Sequence, residues 1–152
     1  MKISILTAVK SEKYLIETIY NVQSQITRNR FNIEHIIIYK TIDKSIIESL
    51  SQKFPHLKFI NQKKNGIYNA LNIGMKSATG KILGILHCND FYVSKWILLA
   101  ILLKFEKENF DILHGDIYFF NEDNKIKRVW LGQFISDIDI LNGKHPPHTS
   151  CF

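Results

Sequence analysis

Short apolar runs rich in β-branched residues alternate along this sequence with segments whose apolar residues recur at helical spacing. Ile3–Val9 and Ile33–Ile38 are two such runs, and β-branched residues favour strands. Between them, residues three or four positions apart predict one apolar helix face, with Ser11 as the N-cap: Leu15, Ile19, Val22 and Ile26. The alternation predicts β-α-β units around a mainly parallel sheet, which is an α/β fold.

The same alternation continues through the rest of the chain. Unbroken apolar runs such as Ile82–Leu86 are typical of strands that are buried on both faces of a parallel sheet. The polar segment Asn121–Asn124 predicts the turn of a hairpin. The further predicted strands are Leu57–Ile60, Asp111–Phe120 and Ile126–Leu131, and the further predicted helices are Ser45–Gln52 and Ser94–Lys107.

The segment that opens at Asn65-Gly66 predicts the best-defined helix. Gly80 is expected to end it, because glycine is common just beyond a helix C-terminus. Free backbone N–H groups at its start, with Lys63 and Lys64 before them, can hold a diphosphate. An ordinary loop before a helix is the alternative. The residues expected to face inward are Ile67, Ala70, Leu71, Met75 and Ala78.

Length and composition fit a single folded domain over residues 1–152. With 152 residues, of which 45% are hydrophobic, the chain has enough apolar material for a core, which excludes disorder as its main state. The formal charge of +6 favours anionic partners. Because 17 of the 20 basic residues are Lys and 3 are Arg, and base reading in DNA depends on the Arg fork, no nucleic-acid partner is expected.

Cysteine content and hydropathy predict a soluble, cytoplasmic protein. Two cysteines, Cys88 and Cys151, provide no disulfide framework, and the N-terminus shows no signal-peptide pattern. The longest apolar run, Trp96–Leu103, has eight residues, whereas a bilayer span needs roughly 20. We therefore expect neither secretion nor a transmembrane helix.

Four loops are expected at the carboxyl edge of the sheet, where open α/β sheets bind their ligands. The loop His87–Tyr92 places the amide of Asn89 beside the carboxylate of Asp90. Such oxygen ligands can hold Mg²⁺ or Mn²⁺, with substrate phosphates completing the shell. A polar turn that caps the following helix is the alternative. The other three loops are Val9–Glu12, Tyr39–Ser45 and Asn61–Gly66.

Two other kinds of chemistry are not expected. His87 and Cys88 are adjacent at the end of a strand, so their side chains point to opposite sides and should neither share a metal ion nor form a nucleophile pair. The chain has neither G-x-G-x-x-G after its first strand nor G-x-x-x-x-G-K-[ST]. These are the fingerprints of dinucleotide enzymes and P-loop proteins, which are therefore set aside.

Nearly the whole chain carries a series of motifs in a fixed order. The order is ILTAV, EHIIIY, KNGIYNALNIGMKSATGKILGILHCNDFY, DILHGDIYF and finally HPPHTSCF. Its most specific part runs from Asn65 to Tyr92, with Gly-Ile-Tyr, Ala-x-Asn-x-Gly, Ala-Thr-Gly and Asn-Asp in succession. In these motifs the chain resembles family 2 glycosyltransferases, inverting nucleotide-sugar enzymes. The resemblance implies the GT-A fold, a Rossmann-like three-layer sandwich with a mainly parallel central sheet.

The resemblance also implies roles for residues at the start of the chain. In such enzymes the first loop, here Thr7, Ala8 and Val9, lies along the nucleoside. Tyr39 occupies the position of a base-binding Asp, and Asp43 matches a second acidic residue of that loop. Tyr39 can stack on a base but cannot accept its N–H as a carboxylate does. Altered base selectivity is therefore expected.

The central motifs keep the family's metal ligand and lose three of its acids. Asp90 is retained as the residue that holds Mg²⁺ or Mn²⁺ against the diphosphate of a UDP- or GDP-sugar, and Gly66 opens the helix expected at the phosphates. Asn89 replaces the first Asp of the metal motif and keeps an amide for ribose or sugar hydroxyls. Lys64 and Asn69 replace the other two acids, and Lys64 can contact phosphate instead.

The last residues of the chain determine whether a general base for catalysis can be identified. His148 matches a late histidine that contacts phosphate, and in the family an acceptor-binding half with a general base follows it. General-base help is worth roughly 10²–10⁴ in rate. Asp116, Asp137 and Asp139 are the carboxylates considered as substitutes, and none occupies the expected position. The chain is expected to be a donor-binding half with its acceptor half truncated.

Two functions stay open from the sequence. One is transfer of a sugar with inversion from a nucleotide-diphosphate sugar to a saccharide or lipid-linked glycan, as in bacterial cell-envelope polysaccharide synthesis. The other is a catalytically inactive remnant that serves as a nucleotide-binding or protein-interaction module. The basic charge fits diphosphate donors and also peripheral contact with the inner membrane face. Contact between copies of the chain is left open.

Overall fold

Four parallel strands form the central sheet of the computed structural model, which describes residues 1–109 and 111–152. They are β1 (Lys2–Val9), β2 (Asn32–Tyr39), β3 (Leu57–Asn61) and β4 (Ile82–Ile85), in the order β3-β2-β1-β4. The helices that follow them are α1 (Leu15–Gln23), α2 (Lys44–Lys53), α3 (Ile67–Ser77) and α4 (Ile97–Lys107). The expected α/β class with a parallel sheet is confirmed. No helix among the described residues is long and apolar enough to cross a membrane.

Alternate residues of β1 face opposite sides of the sheet, as a side-chain period of two requires. Ile3 and Ile5 are fully buried in a cluster with Leu98 of α4. Leu6 points the other way, into a cluster with Ala70 of α3. Each such side chain contributes about 1.5–3 kcal/mol when it is fully buried. Helices therefore cover both faces of the sheet, with α1, α2 and α4 on one side and α3 on the other.

Two of the inward positions predicted for α3 are wrong. Ile67 and Met75 are 45% and 44% exposed. Ile67 lies in the first turn of the helix, whose buried residues are Ala70, Leu71 and Gly74. Gly74 packs close to the sheet instead, since an added Cβ there would be 2.8 Å from Cδ1 of Ile38. The helix is thus seated by a small residue that the apolar pattern does not reveal.

Two predicted helix boundaries are wrong by a few residues. Ile26 lies beyond the end of α1, where its N–H donates to the carbonyl of Lys95 at 2.8 Å. α4 begins at Ile97 and not at Ser94. The Ser94 hydroxyl accepts from the N–H of Trp96 at 3.3 Å, in a turn that precedes the helix. In both places the residues expected in a helix make hydrogen bonds within or between loops instead.

Among the described residues after α4 are β5 (Ile117–Phe120), β6 (Ile126–Trp130) and α5 (Asp137–Leu141). β5 and β6 form the predicted antiparallel hairpin. The strand expected from Asp111 begins only at Ile117, and before it His114 makes a single antiparallel bridge with Cys151. α5 was not predicted, because five residues are too few to establish a helical period.

The C-terminal residues dock onto β4 through one aromatic ring. Phe152 exchanges two backbone hydrogen bonds with Leu113, at 3.0 and 2.8 Å. Its ring lies against Gly84 of β4, where an added Cβ would be only 2.3 Å from Cε1 of Phe152. Glycine at position 84 thereby allows the 3₁₀ turn His148–Ser150 to lie against β4.

Candidate functional site

Hydrogen bonds join the four loops at the carboxyl edge of the sheet. The Asp43 N–H donates to the Glu12 carboxylate at 2.7 Å, which ties the loop after β2 to the loop after β1. Lys40 donates to the side chain of Asn65 at 2.7 Å, which ties the same loop to the segment before α3. The Cys88 thiol lies 3.7 Å from a backbone carbonyl of the loop after β1. The four predicted loops therefore form one connected surface.

Thr7 is held inside the sheet and not on that surface. It is fully buried, its hydroxyl donates to the carbonyl of Leu86 at 2.8 Å, and the same oxygen lies 2.9 Å from Nε2 of His35. Val9 is also buried, and Ala8 is half-buried. The resemblance places these three residues along a nucleoside. Because their side chains are buried or half-buried, a nucleoside at the edge would contact mainly their backbone.

Asp43 begins α2 as its N-cap. Its Oδ1 accepts from the N–H of Ser45 at 2.8 Å and from the hydroxyl of Ser45 at 2.7 Å, an arrangement that stabilises a helix start. The side-chain hydrogen bond from Ser45, followed by the backbone one, lowers the pKa of the Asp43 carboxyl. Capping uses one carboxylate oxygen, so the other is left for a ligand at the edge.

The start of α3 is open and electropositive. Gly66 has a φ of +118°, which favours glycine, and an added Cβ would meet no atom within 4 Å. The N–H groups of the first turn have no acceptor within the helix. Lys64 is exposed beside them. An anion at this point can reach both the helix N-terminus and the lysine.

Two residues at positions where the resemblance implies an acid pack within the edge. Asn69 donates to Oε1 of Gln62 at 3.1 Å and to the carbonyl of Lys64 at 3.3 Å, so its amide braces the loop before α3. Tyr39 is half-buried and packs edge-on against Phe59, with 6.4 Å between the ring centroids. Both side chains therefore contact neighbouring parts of the protein.

Asn89 and Asp90 lie in a tight turn directly after β4. The Asp90 N–H donates to the carbonyl of His87 at 2.9 Å. Asn89 has a φ of +82°, a region that Asn enters more readily than most residues, and its N–H donates to the hydroxyl of Thr18 at 3.1 Å. The alternative prediction, that this pair caps the following helix, is wrong because α4 begins only at Ile97.

The Asp90 carboxylate has no hydrogen-bond or ion-pair partner within residues 1–109 and 111–152. Partial burial raises its pKa, although the imidazoles of His87 and His148 act in the opposite direction. In this part of the chain no three His, Cys, Asp or Glu side chains are grouped to hold a metal ion. One carboxylate suffices for Mg²⁺, which commonly completes its shell with waters and substrate phosphates. Asp90 thus fits a single protein ligand of such an ion.

The structure brings His148 to the same turn. Its Nε2 lies 3.5 Å from Nε2 of His87, and the ring centroids are 5.6 Å apart. Burial lowers the pKa of His87, Asp90 opposes that shift, and His148 adds to it. The two histidines are 61 positions apart, and no local signal in the sequence pairs them. Their contact depends on how the C-terminal turn docks on β4.

A cleft of about 740 Å³ opens beside the turn that carries Asp90, between α4 and the β5–β6 hairpin. Asn89 and Asp90 line it, together with Asp116 and several aromatic residues. The rings of Phe91 and Phe120 lie 5.6 Å apart in its wall. A cleft of this size with apolar walls and a few polar groups is typical of a small-molecule site.

Comparison with known proteins matches the chain to one family. The model of Glycosyl transferase family 2 matches residues 4–147. An uncharacterized glycosyltransferase of Rickettsia conorii is 33% identical over 141 residues, which cover 90% of this chain and 23% of that protein. An uncharacterized glycosyltransferase of Rickettsia felis matches with the same identity and coverage. The chain thus spans about a quarter of the length of these relatives.

Solved structures share the fold. S. aureus TarS 1-349 in complex with UDP superposes with a TM-score of 0.67 at 21% identity, over 84% of this chain and 38% of that one. The mannosyltransferase PcManGT from Pyrobaculum calidifontis, in complex with GDP-Man and Mn²⁺, superposes with a TM-score of 0.59 at 17% identity, over 75% of this chain and 34% of that one. The likeness confirms the expected Rossmann-like GT-A architecture.

Proposed function

This chain belongs to glycosyl transferase family 2, and we propose that it binds a UDP- or GDP-sugar at the carboxyl edge of its parallel sheet. The sugar is then transferred, with inversion, to a saccharide or lipid-linked glycan. The observation that carries this proposal is the Asp90 carboxylate after β4, which makes no hydrogen bond or ion pair with the described residues. Structural neighbours in complex with UDP and with GDP-Man and Mn²⁺ support a donor of this class.

Different loops of the edge would contact different parts of the donor. The backbone of Thr7–Val9 and the free carboxylate oxygen of Asp43 would contact the nucleoside. The diphosphate would lie at Gly66, where the N-terminus of α3 and the Lys64 ammonium both favour negative charge. Asn89, which is exposed beside Asp90, would donate or accept a hydrogen bond with ribose or sugar hydroxyls.

A bound Mg²⁺ or Mn²⁺ would stabilise the negative charge that develops on the departing nucleoside diphosphate. Asp90 would hold that ion from the end of β4. His148 lies near enough to Asp90 to affect its pKa, which supports its assignment to the same phosphates. The helix start, Lys64 and the ion would each place positive charge at the leaving group and not at the acceptor.

Asp116 is our candidate for the general base. Its Oδ1 accepts from the N–H of Gly132 at 2.8 Å, which orients the carboxylate, and it lines the same cleft as Asp90. Asp139 is bound instead to Lys144 at 2.6 Å and forms the capping box of α5 with Ser136. Those contacts, with the Lys144 hydrogen bond first, lower the pKa of Asp139 to about 2. That value is far below the range of an effective base at neutral pH.

The aromatic lining of the cleft supports a glycan acceptor next to the donor. The rings of Phe91 and Phe120 offer apolar faces, on which the C–H faces of a sugar ring or the apolar carrier of a lipid-linked glycan can pack. The acceptor hydroxyl would then approach the donor sugar from the side of the cleft that Asp116 lines.

Nucleotide binding without turnover is the second candidate function. The amide of Asn69 donates to Gln62, and Tyr39 packs on Phe59. Two positions that are acidic in the family therefore hold residues that stabilise the loops of the edge. These contacts preserve a nucleotide-binding surface while they remove carboxylates that orient sugar hydroxyls. The product of such changes would be a nucleotide-binding or protein-interaction module.

We place this activity in bacterial cell-envelope polysaccharide synthesis, on the cytoplasmic face of the inner membrane. Relatives from Rickettsia support a bacterial setting. The formal charge of +6 favours peripheral contact with anionic lipid headgroups.

Calorimetric titration with UDP, GDP and their sugars, with and without Mn²⁺, followed by an assay of donor hydrolysis, tests both candidates. Cation-dependent binding with hydrolysis supports the transferase, and cation-dependent binding without hydrolysis supports the nucleotide-binding module. If no nucleotide binds, and an Asp90→Ala variant behaves like the unmodified protein, the donor site is overturned. Asp123→Ala, which removes an exposed carboxylate from the hairpin turn, is the matched control.

A further inference from the structure

We propose that the outer face of α4 docks on an anionic bilayer, with the indole of Trp96 at the level of the lipid headgroups and basic side chains on the lipid phosphates. We call this surface the Trp96 face, and it consists of the exposed side chains of Trp96, Ala100, Leu103 and Lys107. The inference rests on the proposed function in one respect, since it supplies the surface for the membrane contact proposed there. Binding to lipid can be measured without any nucleotide.

α4 is apolar on its outer face as well as on its inner one. The inner face, which includes Leu98 and Leu102, is fully buried in a cluster with residues of β1. The four residues of the Trp96 face are spaced four, three and four positions apart, which places them in one stripe along a helix. Trp96 and Leu103 are 38% and 44% exposed. A helix that is apolar all round is normally covered on every side, so this exposed stripe indicates a docking surface.

Cations lie against the exposed ring of Trp96. The guanidinium carbon of Arg28 is 4.9 Å from the centroid of the ring, and Nζ of Lys95 is 5.7 Å from it. Both distances are within the roughly 6 Å of a cation–π contact. Tryptophan, lysine and arginine are the residues that anchor proteins at the boundary between lipid headgroups and hydrocarbon. The Trp96 ring with its two cations therefore fits that boundary better than it fits a purely apolar interface.

The loop that carries Arg28 is fixed to the start of α4. The side chain of Gln25, which is buried, donates to the carbonyl of Ser94 at 2.9 Å and accepts from the N–H of Leu98 at 3.1 Å. Because these hydrogen bonds join the loop to the main chain around Trp96, the position of the cation over the ring follows from the fold.

The charges around the Trp96 face select an anionic bilayer. Glu106 and Glu108, the acids nearest to the face on α4, are each bound to a basic residue. Three further cations make no ion pair within residues 1–109 and 111–152, namely Arg28, Lys95 and Lys107. Each lysine or arginine near an anionic bilayer strengthens binding about fivefold. Long basic side chains also reach the phosphates while their stems cover apolar surface.

The Trp96 face borders the cleft that Asp90 lines. Ala100 belongs to the face and also lines the cleft, together with Val93 and Lys104. Val93 is 60% exposed, which extends the apolar surface toward the mouth of the cleft. A bilayer on the Trp96 face would therefore lie beside this mouth. The glycan of a lipid-linked acceptor would then enter the cleft while its lipid stays in the bilayer.

The test is sedimentation of the chain with vesicles of phosphatidylcholine alone and of phosphatidylcholine mixed with phosphatidylglycerol. We expect binding to the mixed vesicles, weakened by salt, and little binding to the neutral ones. Lys107→Gln and Leu103→Gln should each lower the partition coefficient about fivefold, the first through lost charge and the second through lost apolar burial. Trp130→Phe leaves Trp96 as the only tryptophan of the chain, and its emission should shift to shorter wavelength on the mixed vesicles.

Matched controls lie on α3, on the opposite side of the sheet. Lys76 and Lys107 each lie in the last turn of their helix, and Met75 is 44% exposed, as Leu103 is. Lys76→Gln and Met75→Gln should bind the vesicles as the unmodified chain does. If Leu103→Gln fails to fold in urea titrations, Lys107→Gln decides alone, because its side chain is exposed.

Several results would overturn the inference. They are no binding of the unmodified chain to the mixed vesicles, unchanged binding of the α4 variants, equal losses in the α3 controls, and Trp96 emission that does not shift. Self-association that Leu103→Gln abolishes, without vesicle binding, would assign the face to a second copy of the chain and overturn the inference as well.

The same variants separate this inference from the proposed function. Vesicle binding through the Trp96 face, in a chain that binds neither UDP nor GDP, would uphold the membrane surface and refute the donor site. Nucleotide binding by a chain that binds neither kind of vesicle would do the reverse.

Discussion

The hydroxyl of Thr7 lies 2.9 Å from Nε2 of His35 in the middle of the sheet, and both residues are fully buried. Because the hydroxyl proton is donated to the carbonyl of Leu86 at 2.8 Å, Nε2 must carry the hydrogen that joins the ring to Thr7. Nδ1 of His35 is then a bare acceptor without a partner among the described residues. These hydrogen bonds link β1 to β2 and to the end of β4, immediately behind the turn that carries Asp90.

Stability should fall in mild acid because of His35. Burial is the main cause that lowers the pKa of this imidazole from 6.5 to about 3. Between those two pH values the unfolded chain binds a proton that the folded chain does not. The free energy of unfolding therefore drops as the pH is lowered, by up to about 1.4 kcal/mol per pH unit from this group. Urea unfolding at a series of pH values measures the slope.

The control for this prediction is His35→Gln, which keeps a donor for Thr7 but does not titrate. Its stability relative to the unmodified chain should improve steadily as the pH falls below 6.5, the ordinary pKa of histidine, because only the unmodified chain loses the contribution of the neutral ring. A stability difference that stays constant across this range would contradict the assignment.

The buried hydroxyl of Thr7 should matter more than its methyl group. Thr7→Val leaves the carbonyl of Leu86 and the Nε2–H of His35 without partners, at an expected loss of about 1–3 kcal/mol. Thr7→Ser keeps both hydrogen bonds and should lose less. Equal losses in the two variants, measured by thermal or urea unfolding, would show that packing and not hydrogen bonding governs this position.

The contact of Phe152 with Gly84 should not tolerate a methyl group. Gly84→Ala puts a Cβ 2.3 Å from the Phe152 ring, so the ring must leave its place, and overpacking of this kind commonly costs about 1–3 kcal/mol. Gly115→Ala is the control, because an added Cβ there meets no atom within 4 Å.

A double variant tests whether the ring itself is the cause. Phe152→Ala removes the side chain that clashes, so the loss caused by Gly84→Ala should largely vanish in its presence, a coupling between two residues in contact. Additive losses would mean that Gly84 is required for a different reason.

Turnover should depend on Asp116. Asp116→Asn should lower transfer or hydrolysis of the donor by about 10²–10⁴, the usual contribution of a general base, while UDP or GDP binding stays near that of the unmodified chain. Asp137→Asn, a change in the first turn of α5, should leave the rate unaltered. A rate that is insensitive to Asp116 would remove this residue from the proposed mechanism.

The strands of the central sheet and their parallel arrangement could be predicted from sequence because buried parallel strands are continuous apolar runs. Ile82–Ile85 and the Ile36–Ile38 run of β2 show this directly. The packing of α3 on the sheet and the start of α4 could not be predicted in the same way. The seat of α3 is Gly74, and a missing side chain leaves no trace in a hydrophobic pattern. The start of α4 depends on how Ser94 is used in a preceding turn.

The loops of the candidate site could be located from sequence, but the use of individual side chains could not. Parallel strand ends must share an edge, so the four loops were expected together. That the Thr7 side chain faces inward depends on the buried His35, a partner in another strand. That His148 reaches His87 depends on the docking of a distant segment. Contacts between residues far apart in the chain leave no local signal.

The amide NMR spectrum of the chain, titrated with UDP and with GDP in the presence of Mg²⁺, tests the central claim most directly. We predict that one of the two nucleotides shifts the signals of Gly66, Asn89 and Asp90, leaves those of the β5–β6 turn in place, and has no such effect on an Asp90→Ala variant. Absence of shifts at all three residues with both nucleotides would contradict the claim. So would shifts that persist unchanged in Asp90→Ala.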